Sequence, residues 1–137
     1  MIVLSFVFNQ TLHAQITVTG WENNKRMFEI KDDIIRNWVT NEPLFEFRNN
    51  SFIDSKTGER LFALDKKKLL DAKTGSKLFE YKNGVVFDLR TGKNKYEIDH
   101  STKIISDSGG KRLFEISQSY IMAENFFLIL IAADLAK

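Results

Sequence analysis

Residues 74–90 read TGSKLFEYKNGVVFDLR, and this stretch is the clearest copy of a unit that recurs along most of the chain. Phe28, Phe45, Phe62, Phe79 and Tyr96 fall 17 residues apart, and Phe114 follows after 18. Set in step, the copies are ENNKRMFEIKDDIIRNW, NEPLFEFRNNSFIDSK, TGERLFALDKKKLLDAK, TGSKLFEYKNGVVFDLR, TGKNKYEIDHSTKIISDS and GGKRLFEISQSY. A unit this short cannot hold a helix pair. Its short apolar runs are bounded by turn residues, which is the pattern of strands.

Two kinds of junction alternate. One centres on Asn41, Gly58, Gly75, Gly92 and Gly110, with Asn24 as the first member. All are Gly or Asn, the residues that tolerate a left-handed backbone. Four residues ahead of the last five stand Asn37, Asp54, Asp71, Asp88 and Ser106, whose side chains can accept hydrogen bonds from the turn's own amides. The other junction is Asp32-Asp33, Asn49-Asn50, Lys66-Lys67 and Asn83-Gly84. Asn-Gly is the strongest two-residue hairpin signal, and Lys-Lys the weakest here, so a looser loop is expected at Lys66-Lys67. The fifth copy is longer by one residue between Asp99 and Lys103.

These junctions predict an all-β fold: a meander of about twelve short antiparallel strands built from a 17-residue hairpin repeat. A two-residue turn at Asn49-Asn50 sets Phe47 opposite Phe52, with Phe45 on the same face. The equivalent trios are Phe28/Ile30/Ile35, Phe62/Leu64/Leu69, Phe79/Tyr81/Val86 and Tyr96/Ile98/Ile104. This face is apolar in every copy. A flat sheet would leave it wet and keep two open edges. Rolling the sheet into a closed or radial pseudo-symmetric assembly, with the Phe row near its axis, removes both problems.

The totals agree with one domain: 137 residues, 43% hydrophobic, with 12 Phe against a single Pro. The formal net charge of +2 gives no case for a nucleic-acid partner. The absence of Cys removes disulfides, thiolate nucleophiles and Cys-based metal sites. Residues 1–15 begin with the apolar run MIVLSFVF and continue to Ala14-Gln15. Two readings fit: a secretory signal peptide cut after Ala14, or an N-terminal strand or helix packed on the core. The run is too short to span a bilayer. Residues 16–120 form the repeat domain. Residues 121–137, containing Phe126-Phe127-Leu128-Ile129-Leu130-Ile131, break the period and are expected to pack on it as a strand-like plug. A membrane-touching tail is the alternative.

The repeated Ile-Asp-x-x-x-Gly-x-x-Leu-Phe-x-Ile pattern, over about residues 16–131, resembles the small bacterial β-flower proteins. The resemblance implies short hairpins set around an axis in four- or five-fold pseudo-symmetry. It also implies a secretory leader ending near Ala14-Gln15 and an aromatic-rich apolar end at Phe126-Phe127-Leu128-Ile129. It carries no activity and no functional residues.

Chemistry-bearing residues are sparse. His13 and His100 are the only histidines and lie far apart in sequence, so neither a metal site nor a serine triad is expected. Glu29, Glu46, Glu80, Glu97 and Glu115 occupy one repeat position and read as a solvated strand face rather than a cation-binding ring. Lys56, Lys73 and Arg90 recur in the turns, again as solvated positions. Thr57-Gly58 and its copies open strands, where a phosphate loop opens a helix. Trp21 and Trp38, one period apart at turn positions, are the candidate ligand surface, the alternative being that they cap the edge of the roll. No catalytic residue, metal or cofactor is indicated. The sequence therefore points to a secreted or envelope-associated binding or structural module with a cell-envelope or protein partner. The alternatives are a barrel-like carrier of a small apolar ligand and, for location, the cytoplasm.

The turn assignment makes Gly75→Val more costly than Ser76→Val, because only Gly75 needs a left-handed backbone. Urea denaturation of the two variants should show the difference directly. Equal losses would remove the assignment.

Overall fold

A computed structural model describes residues 15–137. Twelve strands run in sequence order: β1 (Ile16–Gly20), β2 (Arg26–Lys31), β3 (Ile34–Asn37), β4 (Pro43–Arg48), β5 (Ser51–Asp54), β6 (Arg60–Asp65), β7 (Lys68–Asp71), β8 (Lys77–Lys82), β9 (Val85–Asp88), β10 (Lys93–Asp99), β11 (Ile104–Asp107) and β12 (Arg112–Ile116). Each pairs antiparallel with its sequence neighbours, and β1 pairs with β12, so the sheet closes into a barrel. One helix follows, α1 (Ala123–Ala132).

The predicted turns form as their residues require. Asp32-Asp33, Asn49-Asn50, Lys66-Lys67 and Asn83-Gly84 all have positive φ at both positions, the backbone of the tight turn that matches strand twist. Lys66-Lys67 is not looser than its copies: its φ angles of 49° and 67° match the Asn-Asn values of 52° and 57°. The ladders on both sides impose a conformation these two lysines do not favour.

At the other junction, Asn24, Asn41, Gly58, Gly75, Gly92 and Gly110 all have positive φ. A Cβ at Gly75 would meet open space, so the cost of substitution there is conformational rather than steric. From Asn41 onward the preceding Asx side chain holds the loop. Asp71 Oδ1 accepts hydrogen bonds from the Lys73 and Thr74 amides, and Asp54 and Asn37 do the same in their own loops. The Thr74 amide, then that of Lys73, holds the Asp71 carboxyl below its ordinary value. In the fifth copy this role falls to Asp107, which accepts from the Gly109 and Lys111 amides, and not to Ser106. The long hairpin loop Asp99–Lys103 absorbs the extra residue and moves the register by one. For the same reason Ile105, opposite Ile98, enters the core in place of Ile104.

The closed ring contains six hairpins, against the four or five implied by the β-flower resemblance. Five hairpins are continuous chain. The sixth is split: β12 is its first strand and β1 its second, with Ile116 opposite Val18 as Phe47 is opposite Phe52. The two ends of the repeat domain thus complete one another. Between successive hairpins the register shifts once, at six equivalent places. Bulges of this kind sharpen strand bending, which strands of only four to seven residues need in order to close.

The apolar face points inward. Phe28, Ile30, Ile35, Phe52, Leu69, Phe79, Tyr81, Val86, Tyr96, Ile98, Ile105 and Phe114 are all buried. A barrel this wide has more lumen than its own side chains fill. Helix α1 occupies the remainder. Phe126, Phe127, Leu128, Ile129 and Leu130 are completely buried, Ile131 nearly so, and Phe127 meets Phe52 edge-on with ring centroids 6.3 Å apart. Six consecutive buried residues cover every side of a helix, the mark of an element surrounded by protein. The expected strand is therefore a helix, and it lies inside the barrel rather than across the surface or as a membrane-touching tail. A closed barrel offers no free edge to a further strand, whereas a helix satisfies its own backbone groups. Residues 1–14, with the expected signal peptide and His13, lie outside the described residues.

Replacing Lys66-Lys67 by Asn-Gly should raise stability by about 1 kcal/mol, since it removes an unfavourable left-handed backbone at a site already shaped for it. Chemical denaturation of the double variant checks this. No gain would mean that the lysine side chains stabilise that turn.

Candidate functional site

In a chain of near-identical units, the residues that differ from their copies report what the fold alone does not require. Several of these differences serve the helix. Tyr81 stands where the other copies have Ile30, Phe47, Leu64, Ile98 and Ile116, and its hydroxyl donates to the Ile121 carbonyl at 3.0 Å. Tyr96 stands where the others have Phe, and its hydroxyl donates to the Leu135 carbonyl at 3.2 Å. The two phenols hold the chain on either side of α1, one at each end of the barrel. Burial raises the pKa of both, with Asp107 adding to the effect at Tyr96.

The irregular loop around His100 has the same task. Nδ1 of His100 lies 2.6 Å from the Ser119 carbonyl, which can only accept, so this nitrogen carries the proton. The ring stacks on Tyr120 at 4.9 Å. It also lies close to Gly84, where a Cβ would approach Nε2 to 3.1 Å. His100 thereby fastens the segment that leads from β12 into α1. At the opposite end Arg90 chelates Asp88 through Nε and Nη2 and donates from Nη2 to the Lys137 carbonyl at 2.6 Å. Burial works against the Asp88 carboxylate, but the Arg90 hydrogen bonds outweigh it and keep the pKa low.

Trp21 and Trp38 also differ from their copies, and both stand on the rim at the Asx-turn end, each beside an arginine at the repeat's basic position. The Arg112 guanidinium lies 5.0 Å from the Trp21 ring centre, and that of Arg26 lies 4.9 Å from Trp38. Because β12, β1, β2 and β3 are consecutive around the barrel, these four side chains follow one another along the rim as Arg, Trp, Arg, Trp. Each tryptophan thus packs on a cation of its own hairpin instead of covering an open sheet edge, since the closed barrel has none. They are not brought into one pocket. Trp21 is 41% exposed and borders a groove of about 460 Å³ floored by Phe28, Phe114, Ala132 and Leu135, whereas Trp38 stands outside it.

A second groove of about 550 Å³ adjoins the first, sharing Lys111, Leu113 and Leu135. Lys93 and Lys95 line it, together with Asp88, Asp107 and Tyr96. Sequence reasoning singled out Trp21 but missed these lysines, because Lys93 and Lys95 read as strand-edge charges until the barrel places them beside the end of α1. Their signal is the departure at Lys95, which stands where the other copies have Met27, Leu44, Leu61, Leu78 and Leu113.

The Glu row points outward. Glu29 pairs across the ladder with Arg36, Glu80 with Lys68, and Glu46 forms an ion pair with Arg48 at 3.7 Å. Among the described residues no three His, Asp or Glu side chains are grouped to hold a metal ion. Comparison of the chain with protein-family models, characterised proteins and solved structures finds no match.

The two buried phenols predict an alkaline transition. Their folded pKa values exceed the unfolded value, so their contribution is complete below about pH 10 and is lost as pH rises through the folded values. Tyr81→Phe with Tyr96→Phe should cost about 1 kcal/mol per hydroxyl at neutral pH and flatten the fall in stability above pH 10. Denaturation curves across that range test both effects.

Proposed function

We propose that the protein is a non-catalytic binding module, secreted or associated with the cell envelope, whose ligand sits at the barrel rim beside Trp21. One observation carries this reading. Trp21, Trp38 and Lys95 depart from the repeat without touching α1, and all three stand on one rim, where two grooves bordered by Trp21, Arg112, Lys93 and Lys95 meet. Grooves of this size, with an apolar floor and a few polar groups at the edge, suit a small ligand. The secreted or envelope location rests on the leader-like residues 1–15.

Carriage of a small apolar ligand is the second reading, and the apolar floor of the Trp21 groove favours it. Such a ligand would lie in that groove and not in the lumen, since α1 fills the barrel axis. Mass spectrometry of the purified protein under non-denaturing conditions should reveal a bound small molecule. Trp21→Ala should weaken its binding by at least about tenfold, while Trp38→Ala should change it less, because Trp38 lies outside the groove. Equal effects of the two substitutions would count against the groove.

A further inference from the structure

The two adjoining grooves differ in chemistry, and that difference names a class of ligand. The groove under Trp21 is apolar at its base, formed by Phe28, Phe114, Ala132 and Leu135. Its neighbour is edged by lysines. Lys111 is paired with Glu22 at 3.6 Å. Lys93 and Lys95 form no ion pair among the described residues, and the Lys95 ammonium stands 5.9 Å from the Phe79 ring centre. The nearby acids are engaged. Asp88 is chelated by Arg90 and also feels the charge of Lys95, so two cations share one carboxylate, and Asp107 Oδ1 accepts from two amides of its own loop. The two lysines therefore face the groove without a full complement of negative charge.

We propose that this double groove binds a single-chain amphiphile with an anionic head, the head held by Lys93 and Lys95 and the apolar body lying along Leu135 onto Phe28, Phe114 and Trp21. Charge complementarity selects the head, and burial of apolar surface supplies most of the affinity. The inference rests on the rim beside Trp21 being the binding surface.

Calorimetric titration with decanoate, decyl phosphate and the neutral decyl maltoside, each below the concentration at which micelles form, tests it. One or both anionic compounds should bind at one site per chain, and the stronger head identifies the natural source as carboxylate or phosphate. The neutral compound should bind at least about tenfold more weakly. Lys93→Gln with Lys95→Gln should lose about tenfold for the anionic compounds and lose their salt dependence, with decyl maltoside unaffected. Lys93→Arg should retain binding, and Lys93→Gln alone, at an exposed position, serves if the double variant does not fold. Equal binding of neutral and anionic compounds, or unchanged binding by the lysine variants, overturns the anionic head while leaving the Trp21 groove in place. No binding by any of the three compounds overturns the amphiphile. If in addition Trp21→Ala leaves a co-purified ligand in place, the rim itself is not the binding surface.

Discussion

The width of the ring governs this structure. Twelve strands enclose more space than their inward side chains can fill, and an empty apolar lumen forfeits the contacts that hold a core together. An element has to occupy the axis. It must be apolar on every side, and it must satisfy its own backbone hydrogen bonds, because the closed sheet offers none. A helix of ten residues spans about 15 Å, comparable with the height of strands four to seven residues long. Phe126 to Ile131 meet these conditions, and the inward Phe row of the barrel is the other half of the same core.

The helix breaks the pseudo-symmetry that the repeat establishes. A single helix cannot meet six hairpins equivalently, so each hairpin is adjusted to the part of α1 it faces. Tyr81 and Tyr96 replace apolar residues where a carbonyl beside the helix needs a donor. The elongated loop at His100 fastens the strap into the helix, and Arg90 holds the segment that leaves it. Six repeats with one central plug thus explain most of the irregularity of the chain. They do not account for Trp21, Trp38 and Lys95, which stand on one rim beside the end of the helix.

The turns and inward trios were legible because they depend on neighbours in sequence. Gly75 and Asn83-Gly84 declare their backbone, and an alternating strand declares its two faces. Among the repeats, three readings of single positions changed for physical reasons. Ile104 and Ser106 yield their places to Ile105 and Asp107, since one extra loop residue moves every later position across the sheet. Lys66-Lys67 form a tight turn because the ladders on both sides demand it. Of the rim, Trp21 was visible as a large aromatic at a turn, while Lys93 and Lys95 were not, because nothing local distinguishes a groove lysine from a solvated one.

The sequence by itself determined the hairpin unit, its turns, the face that turns inward and the need to roll up, all of which follow from period-two alternation and from residues that tolerate a left-handed backbone. Only the tertiary structure decided that the ring closes at six hairpins, that β1 completes β12, and that residues 123–132 form a helix inside the barrel. Those outcomes depend on contacts between segments up to a hundred residues apart. The run Phe126–Ile131 is equally apolar as strand or helix, and what makes it a helix is the cylinder of sheet around it, which leaves no edge to join.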